Sequence, residues 1–247
     1  MPSNTRINIE VIHSFPQTGL VRAKKTAVEK TSEDPVCFIE DDVVLDEKNL
    51  EEIAKTFSEN GDILAVGGVC RNSLNNNLVY VILHWIFYKK IFKDSRPWIT
   101  WKSAVFKKTL SPSETISGGI SAWRRHVLEK VQFEPKDGFH LFEDMHFCRK
   151  VVRKFGSGLY INPRATLQHF PASEGRATTG EFEAQRLREA FSLYRYHRAG
   201  FSDLLALLWL ILGLTFFSAL KSLRYASFTP IAGHWRGLHE CLSRKKE

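Results

Sequence analysis

An uncharged segment near the carboxyl end, Leu204–Leu220, constrains this chain more than any other feature. It reads LLALLWLILGLTFFSAL, and as a helix it would be about 26 Å long, at the lower edge of what spans a hydrocarbon core. Apolar residues occupy every side of such a helix, and basic residues flank both ends. We therefore favour a membrane-associated helix over a buried core helix, and both spanning and in-plane arrangements stay open.

Length and charge set the class of protein only broadly. The chain has 247 residues, of which 43% are hydrophobic, and this suits one globular domain with an appendage. The formal net charge of +8 is compatible with nucleic acid, anionic membranes or phosphorylated substrates. The basic residues are dispersed without a recognition-helix, zinc or RNA-binding motif, so we expect no nucleic-acid partner. The four cysteines lack metal-binding spacing and indicate reduced thiols.

The first third of the chain alternates between strand and helix patterns. The predicted elements are a strand over Ile7–Ile12, a helix over Gly19–Glu29, a strand over Val36–Ile39, a helix over Lys48–Glu59 with Asp46 as its N-cap, and a strand over Ile63–Val69. This order predicts an α/β fold with parallel strands, and such sheets bind ligands at the carboxyl ends of their strands.

Three acids, Glu40, Asp41 and Asp42, stand directly after the apolar strand Val36–Ile39. Adjacent carboxylates repel one another, and removing them from water is costly unless something neutralises them. A solvated turn would satisfy these acids, and so would a bound divalent cation. The nine residues FIEDDVVLD favour neither alternative.

Further along, three features follow one another in order. Gly118 and Gly119 precede an apparent helix over Ala122–Val131, and the acids Glu143 and Asp144 open the next predicted helix. A last strand, LYINPRATLQH, then ends at His169.

The motifs FIEDDV, SGGISAWRRHVLEKV, FEDMHFCRKVVRKFG and LYINPRATLQH, in this order, resemble the family 2 glycosyltransferases. The resemblance covers Ile7 to His169. It implies a GT-A-like (Rossmann-like) sheet with flanking helices, a nucleotide-sugar donor, and a sugar or lipid-linked acceptor. It also implies that a sugar is transferred with inversion.

The resemblance assigns roles to the acids. Asp42 and Glu40 match the positions that hold Mn²⁺ or Mg²⁺ against the donor diphosphate, with Asp41 beside them as a substrate-binding residue. Asp144 matches the catalytic base, with Glu143 supporting it. The alternatives are a solvated acidic turn and a helix terminus whose acids serve only the helix dipole.

The remaining candidate residues are weaker matches. Gly118 and Gly119 would let the backbone approach the substrate, Trp123 would pack against the acceptor, and Arg176 would close over the diphosphate. His169 would lie by the metal or the diphosphate. The alternatives are a plain turn for the glycines, the core for Trp123, a solvated surface for Arg176 and a structural role for His169.

One departure from the family pattern concerns the amino-terminal part. Only one strand and one helix precede the Val36–Ile39 strand that leads to Glu40, and Arg22-Ala23-Lys24 stands where the family has an Arg-Ala-x-Asn sequence. We therefore expect the fold to lack its nucleoside-binding segment, either as a shortened product or with a partner chain supplying that segment. The alternative function is a truncated, inactive membrane protein that acts as a binding module or remnant.

The domain prediction has three parts: a partial glycosyltransferase-like domain over 1–200, a hydrophobic helix over 201–221, and a basic tail over 222–247. The expected location is at a membrane, with the catalytic domain facing the cytoplasm.

Overall fold

The computed structural model describes residues 9–13, 19–73, 78–89, 97–133, 142–170, 179–197 and 200–243. Six strands form one sheet: β1 (Val36–Ile39), β2 (Val43–Leu45), β3 (Ala65–Cys70), β4 (Ser111–Ser113), β5 (Ile120–Trp123) and β6 (Leu159–His169). The strand order is β1-β5-β3-β6-β2, and β4 also pairs with β6.

Some helices alternate with the strands along the chain, and the last three follow β6. The helices are α1 (Leu20–Lys30), α2 (Asn49–Glu59), α3 (Leu78–His84), α4 (Pro97–Lys107), α5 (Arg125–Lys130), α6 (Glu143–Phe155), α7 (Thr179–His197), α8 (Phe201–Arg224) and α9 (Thr229–Ser243). A π-helical turn, Trp85–Lys89, continues α3. The predicted helices over Gly19–Glu29 and Lys48–Glu59 agree with α1 and α2 to within a residue at each end.

The sheet is mixed. β3 and β6 are parallel neighbours, and β5 runs antiparallel between β1 and β3. Strands β1, β3 and β6 therefore share one direction, as predicted, but β1 and β3 are not adjacent. The sequence pattern assigned the last two residues of β5 to a helix. That assignment was wrong because Ala122 and Trp123 are buried and pair with β1 on one side and with β3 on the other, an arrangement set by tertiary contacts.

Two local predictions at the amino-terminal side also need correction. Residues 9–13 form no strand, and Ile9 and Val11 are exposed, so the alternating pattern of this segment does not reflect one buried face. Residues 7 and 8 of that predicted strand lie outside the described residues. Asp46 does not cap α2 with its side chain, since its carboxylate accepts a hydrogen bond from the Thr166 hydroxyl and pairs with Arg71 at 3.3 Å.

Among the apolar clusters of the described residues, two are the largest. One lies against the sheet and includes Val36, Trp123, Phe147 and Leu159. The other lies among the last helices and is built from Tyr88, Leu187, Ala190, Leu207, Leu210, Leu214 and Phe217. Residues 229–243, within the predicted basic tail, form α9, which packs closely on α7. A Cβ atom on Gly237 would lie only 2.6 Å from the Ala184 backbone.

Helix α8 has one packed face and one exposed apolar face. Leu207, Leu210 and Leu214 are buried, whereas Leu208 and Leu212 are about half exposed. Leu205, Phe216, Leu220 and Leu223 extend the exposed face along the helix. Of the helices that the structure describes, α8 is long and apolar enough to cross a membrane. Helix α8 is therefore apolar on all sides, with one side packed against the protein and the opposite side exposed.

A buried polar cluster joins α7 to α8. The carboxylate of Glu183 accepts hydrogen bonds from Arg186 (2.9 Å), Ser218 (2.9 Å) and Lys221 (2.6 Å). Arg186 also donates to the Tyr88 hydroxyl at 3.0 Å. Because Glu183 is only 1% exposed, its charge depends on these partners for stabilisation.

Candidate active site

The sheet brings several of the predicted site residues to one edge. β1 ends at Ile39, and β6 ends at His169 on the same edge, because the two strands share a direction. Antiparallel β5 begins there, with Ile120 opposite Ile39. The backbone N–H of Glu40 donates to the Gly119 carbonyl at 3.1 Å. The acids after β1, the glycines before β5 and the end of β6 therefore meet.

Three side chains form a cluster at this edge. The Nε2 atom of His169 lies 3.1 Å from Oδ1 of Asp42 and 3.8 Å from Oε2 of Glu40. One potential ligand atom from each residue lies within 4.8 Å of the other two, and all three side chains are partly buried. Burial raises the pKa of Glu40, while Lys24 and His169 act in the opposite direction.

This donor set fits a divalent cation. Two carboxylates supply the hard oxygen ligands that Mn²⁺ and Mg²⁺ prefer, and the imidazole adds a nitrogen ligand. Asp41 is exposed on the turn and does not belong to the cluster. Its predicted role in binding substrate stays a prediction.

An acid pair lies in the first turn of α6. Asp144 accepts hydrogen bonds from the backbone N–H groups of Met145 (2.7 Å) and Gly118 (3.4 Å). Burial, and then the neighbouring charge of Glu143, raise the pKa of Asp144 to about 7, against the opposite effects of these hydrogen bonds and of Lys24. A carboxylate with such a pKa can take up a proton near neutral pH.

Gly118 and Gly119 connect the cluster to the acid pair. A Cβ atom on Gly118 would lie 2.6 Å from Oε1 of Glu143, and one on Gly119 would overlap the Glu40 carboxylate. The two glycines therefore let the side chains of the site approach the backbone closely. Whether their amides also contact substrate stays a prediction.

Trp123 and Arg176 stand apart from this arrangement. Trp123 is 2% exposed, donates from Nε1 to the Ser121 hydroxyl at 2.9 Å, and packs edge-to-face on Phe147. The structure thus places Trp123 in the core, which agrees with the alternative role given to it above. Arg176 lies outside the described residues.

Sequence reasoning missed Lys24 as a site residue. Its side chain is only 6% exposed and donates to Oε1 of Glu143 at 2.8 Å. The available signal was its position in α1, three residues after buried Val21 and four before Val28, which packs on the core. A lysine in the apolar stripe of a helix needs a buried partner.

Comparison with known proteins identifies the class. The sequence model of the glycosyltransferase like family 2 matches residues 2–192, and the chain belongs to this family. Among curated proteins, no significant match was found.

Solved structures agree with this family assignment in fold. A total of 63 chains match, including the mannosyltransferase PcManGT from Pyrobaculum calidifontis in complex with GDP-Man and Mn2+. The identity is 15%, the TM-score is 0.54, and the match covers 96% of this chain and 58% of that one. This chain therefore spans somewhat more than half the length of that relative. The predicted GT-A-like α/β fold is confirmed.

Proposed function

We propose that this chain transfers a sugar from a nucleotide-sugar donor to an acceptor hydroxyl, assisted by a divalent cation. The observation that carries the proposal is the placement of Glu40, Asp42 and His169 beside the acid pair of α6, across Gly118 and Gly119. Cation ligands and a proton acceptor are the two groups that such a transfer needs.

Glu40, Asp42 and His169 would hold Mn²⁺ or Mg²⁺ at the sheet edge. When bound, the cation would offset the charge that builds up on the leaving diphosphate. PcManGT was solved with GDP-Man and Mn2+, which supports a nucleotide-sugar and a divalent cation for this chain as well.

Asp144 is the proposed base. As the acceptor oxygen bonds to the anomeric carbon, the hydroxyl proton passes to the Asp144 carboxylate, and the bond from that carbon to the phosphate oxygen breaks. A single displacement of this kind inverts the configuration at the anomeric carbon. The raised pKa of Asp144 supports the assignment, because a base works best when its pKa lies near the working pH.

The exposed face of α8 supports an acceptor in or on a membrane. Leu208, Leu212 and Phe216 would face lipid, while the opposite face of α8 packs on the protein. Arg224, an exposed basic residue in the last turn of α8, suits an anionic membrane surface. We propose a lipid-linked acceptor and a catalytic domain that faces the cytoplasm.

The proposal can be tested with the full chain in detergent or nanodiscs. Release of nucleoside diphosphate is measured from a panel of UDP- and GDP-sugars with lipid extract as acceptor, in Mn²⁺ and in chelator. Turnover of one donor in Mn²⁺ that stops in chelator supports the proposal. If no donor is turned over or bound, the chain is instead a binding module without transferase activity.

A further inference from the structure

Lys24 occupies a central position in the candidate site. Its ammonium group lies between the ring of Phe38, 5.8 Å from the centroid, and the carboxylate of Glu143, 2.8 Å away. A Cβ atom on Gly118 would lie 2.8 Å from Nζ of Lys24, so the ammonium group also lies against Gly118. Burying a lysine this deeply is costly unless its charge is used.

The two acids at the start of α6 have different partners. Glu143 is held by the ammonium group of Lys24, whereas Asp144 accepts hydrogen bonds from the backbone of Gly118 and Met145. Two adjacent carboxylates in one turn compete for a single proton, and an ion pair to one of them decides which stays ionised. The asymmetry therefore assigns different tasks to the two acids.

The charged and titratable groups around Asp144 are few in the described part of the chain. Glu143 and Cys148 face it from its own helix, and Lys24 faces it from α1. Glu40 lies further away and interacts electrostatically with Lys24 and Glu143. Among these groups, Lys24 carries the positive charge.

We propose that Lys24 is a positioning residue: its ion pair fixes Glu143, so that Asp144 is the carboxylate that takes the proton of the acceptor. The inference rests on the proposed function, in which Asp144 is the base. The rival role for a buried lysine at this site is direct contact with the donor diphosphate.

The first test needs no substrate. In the full chain with ¹³C-labelled carboxyl groups, the titration of Asp144 is followed by NMR and assigned with Asp144→Asn. Removing a cation beside a carboxylate disfavours its ionised form, so Lys24→Met moves the midpoint to higher pH. Lys25→Met is the matched control, because Lys25 lies next along α1 with its side chain 43% exposed. An unchanged midpoint in Lys24→Met overturns the proposal.

If Lys24→Met does not fold, Lys24→Gln is used in its place, because its amide removes the charge but can still donate a hydrogen bond to the Glu143 carboxylate. Its Asp144 midpoint is compared with that of the wild-type chain. The proposal predicts a higher midpoint in Lys24→Gln. Equal midpoints in the two proteins contradict it.

The second test separates positioning from donor binding. With a donor that supports turnover, Lys24→Met should lower kcat by about tenfold or more, with the donor KM changed by less than about twofold. Lys24→Arg, which keeps the positive charge, should recover part of kcat. A raised donor KM with unchanged kcat would assign Lys24 to the diphosphate instead. If the wild-type chain has no transferase activity, the proposed function fails, while the NMR titration still decides the role of Lys24.

Discussion

The imidazole Nε2 of His169 lies 3.1 Å from Oδ1 of Asp42, at the end of the last strand of the sheet. The pairing of β2 with β6 sets this distance, because Val43 lies opposite His169 in the register. The backbone reinforces the contact, since the N–H of Phe170 donates to the Asp42 carbonyl at 2.8 Å. Two residues far apart in the chain are thus held as neighbours by strand pairing.

Replacing the proposed base should abolish turnover and leave donor binding intact. Asp144→Asn keeps the size of the side chain but removes its capacity to take a proton. We expect kcat to fall by about 100-fold or more, since general-base catalysis contributes at least that much. The measurement is kcat alongside the calorimetric affinity for the donor nucleotide. Weaker nucleotide binding with unchanged kcat would make Asp144 a binding residue.

The pH dependence of turnover should report the same group. Asp144 has its pKa raised to about 7, and it acts as a base only when deprotonated. Turnover should therefore rise with pH through about 7 and level off above, with log kcat rising with a slope of about 1 on the acid side. A flat profile of turnover from about pH 5.5 to 8.5 would exclude Asp144 as the base.

The raised pKa of Asp144 also affects stability. Between the pKa of Asp144 in the unfolded chain and its higher pKa in the folded chain, the folded state binds more protons than the unfolded state. The contribution of Asp144 to stability therefore decreases as pH rises through that range.

The polar cluster between α7 and α8 should matter for stability. Glu183→Gln leaves the buried charges of Arg186 and Lys221 without their carboxylate, at an expected cost of about 3–5 kcal/mol. Glu181→Gln is the matched control on the same helix, because Glu181 is 42% exposed and pairs with Arg188 and Arg236 near the surface. That change should cost about 1 kcal/mol or less per pair. The free energy of unfolding of the full chain in detergent is measured for both variants. Equal decreases in the two variants would contradict the stabilising role of the buried cluster.

The exposed face of α8 should bind the chain to membranes. We expect wild-type chain to sediment with liposomes that contain anionic lipid, and Leu208→Lys with Leu212→Lys to release it. Each lysine at the centre of a membrane helix costs about 2.5–3.5 kcal/mol. Leu50→Lys is the control, since Leu50 is 51% exposed on α2, among the helices that flank the sheet. A wild-type chain that is monodisperse without detergent would make α8 the core helix of a soluble protein.

The sequence predicted the elements whose pattern is local. Helices α1, α2 and α6 carry apolar residues at helical spacing, and their bounds followed from that periodicity. Strand β5 was missed because four buried residues carry no period of their own, and its place depends on β1 and β3 on either side. Short strands of this kind are determined by tertiary pairing.

The sequence predicted the acids of the candidate site but not all of their partners. The acids after β1 stood out because adjacent carboxylates are costly to crowd, whereas Glu143 and Asp144 were singled out by the family resemblance. His169 was only a weak candidate because a single histidine is usually structural, and it is strand pairing that brings it to Asp42. Lys24 was missed because its partner, Glu143, is brought to it only by folding.

The most direct test of the central claim is nucleotide binding to the full chain by calorimetry, with UDP and GDP, in Mn²⁺ and in chelator. Asp42→Asn is compared with Asp62→Asn, an exposed aspartate that precedes β3 and lies outside the cluster. The account predicts saturable binding of one nucleotide that requires Mn²⁺, is lost in Asp42→Asn and persists in Asp62→Asn. Binding that is equally strong in chelator, or equally strong in both variants, would contradict a cation site built from Glu40, Asp42 and His169.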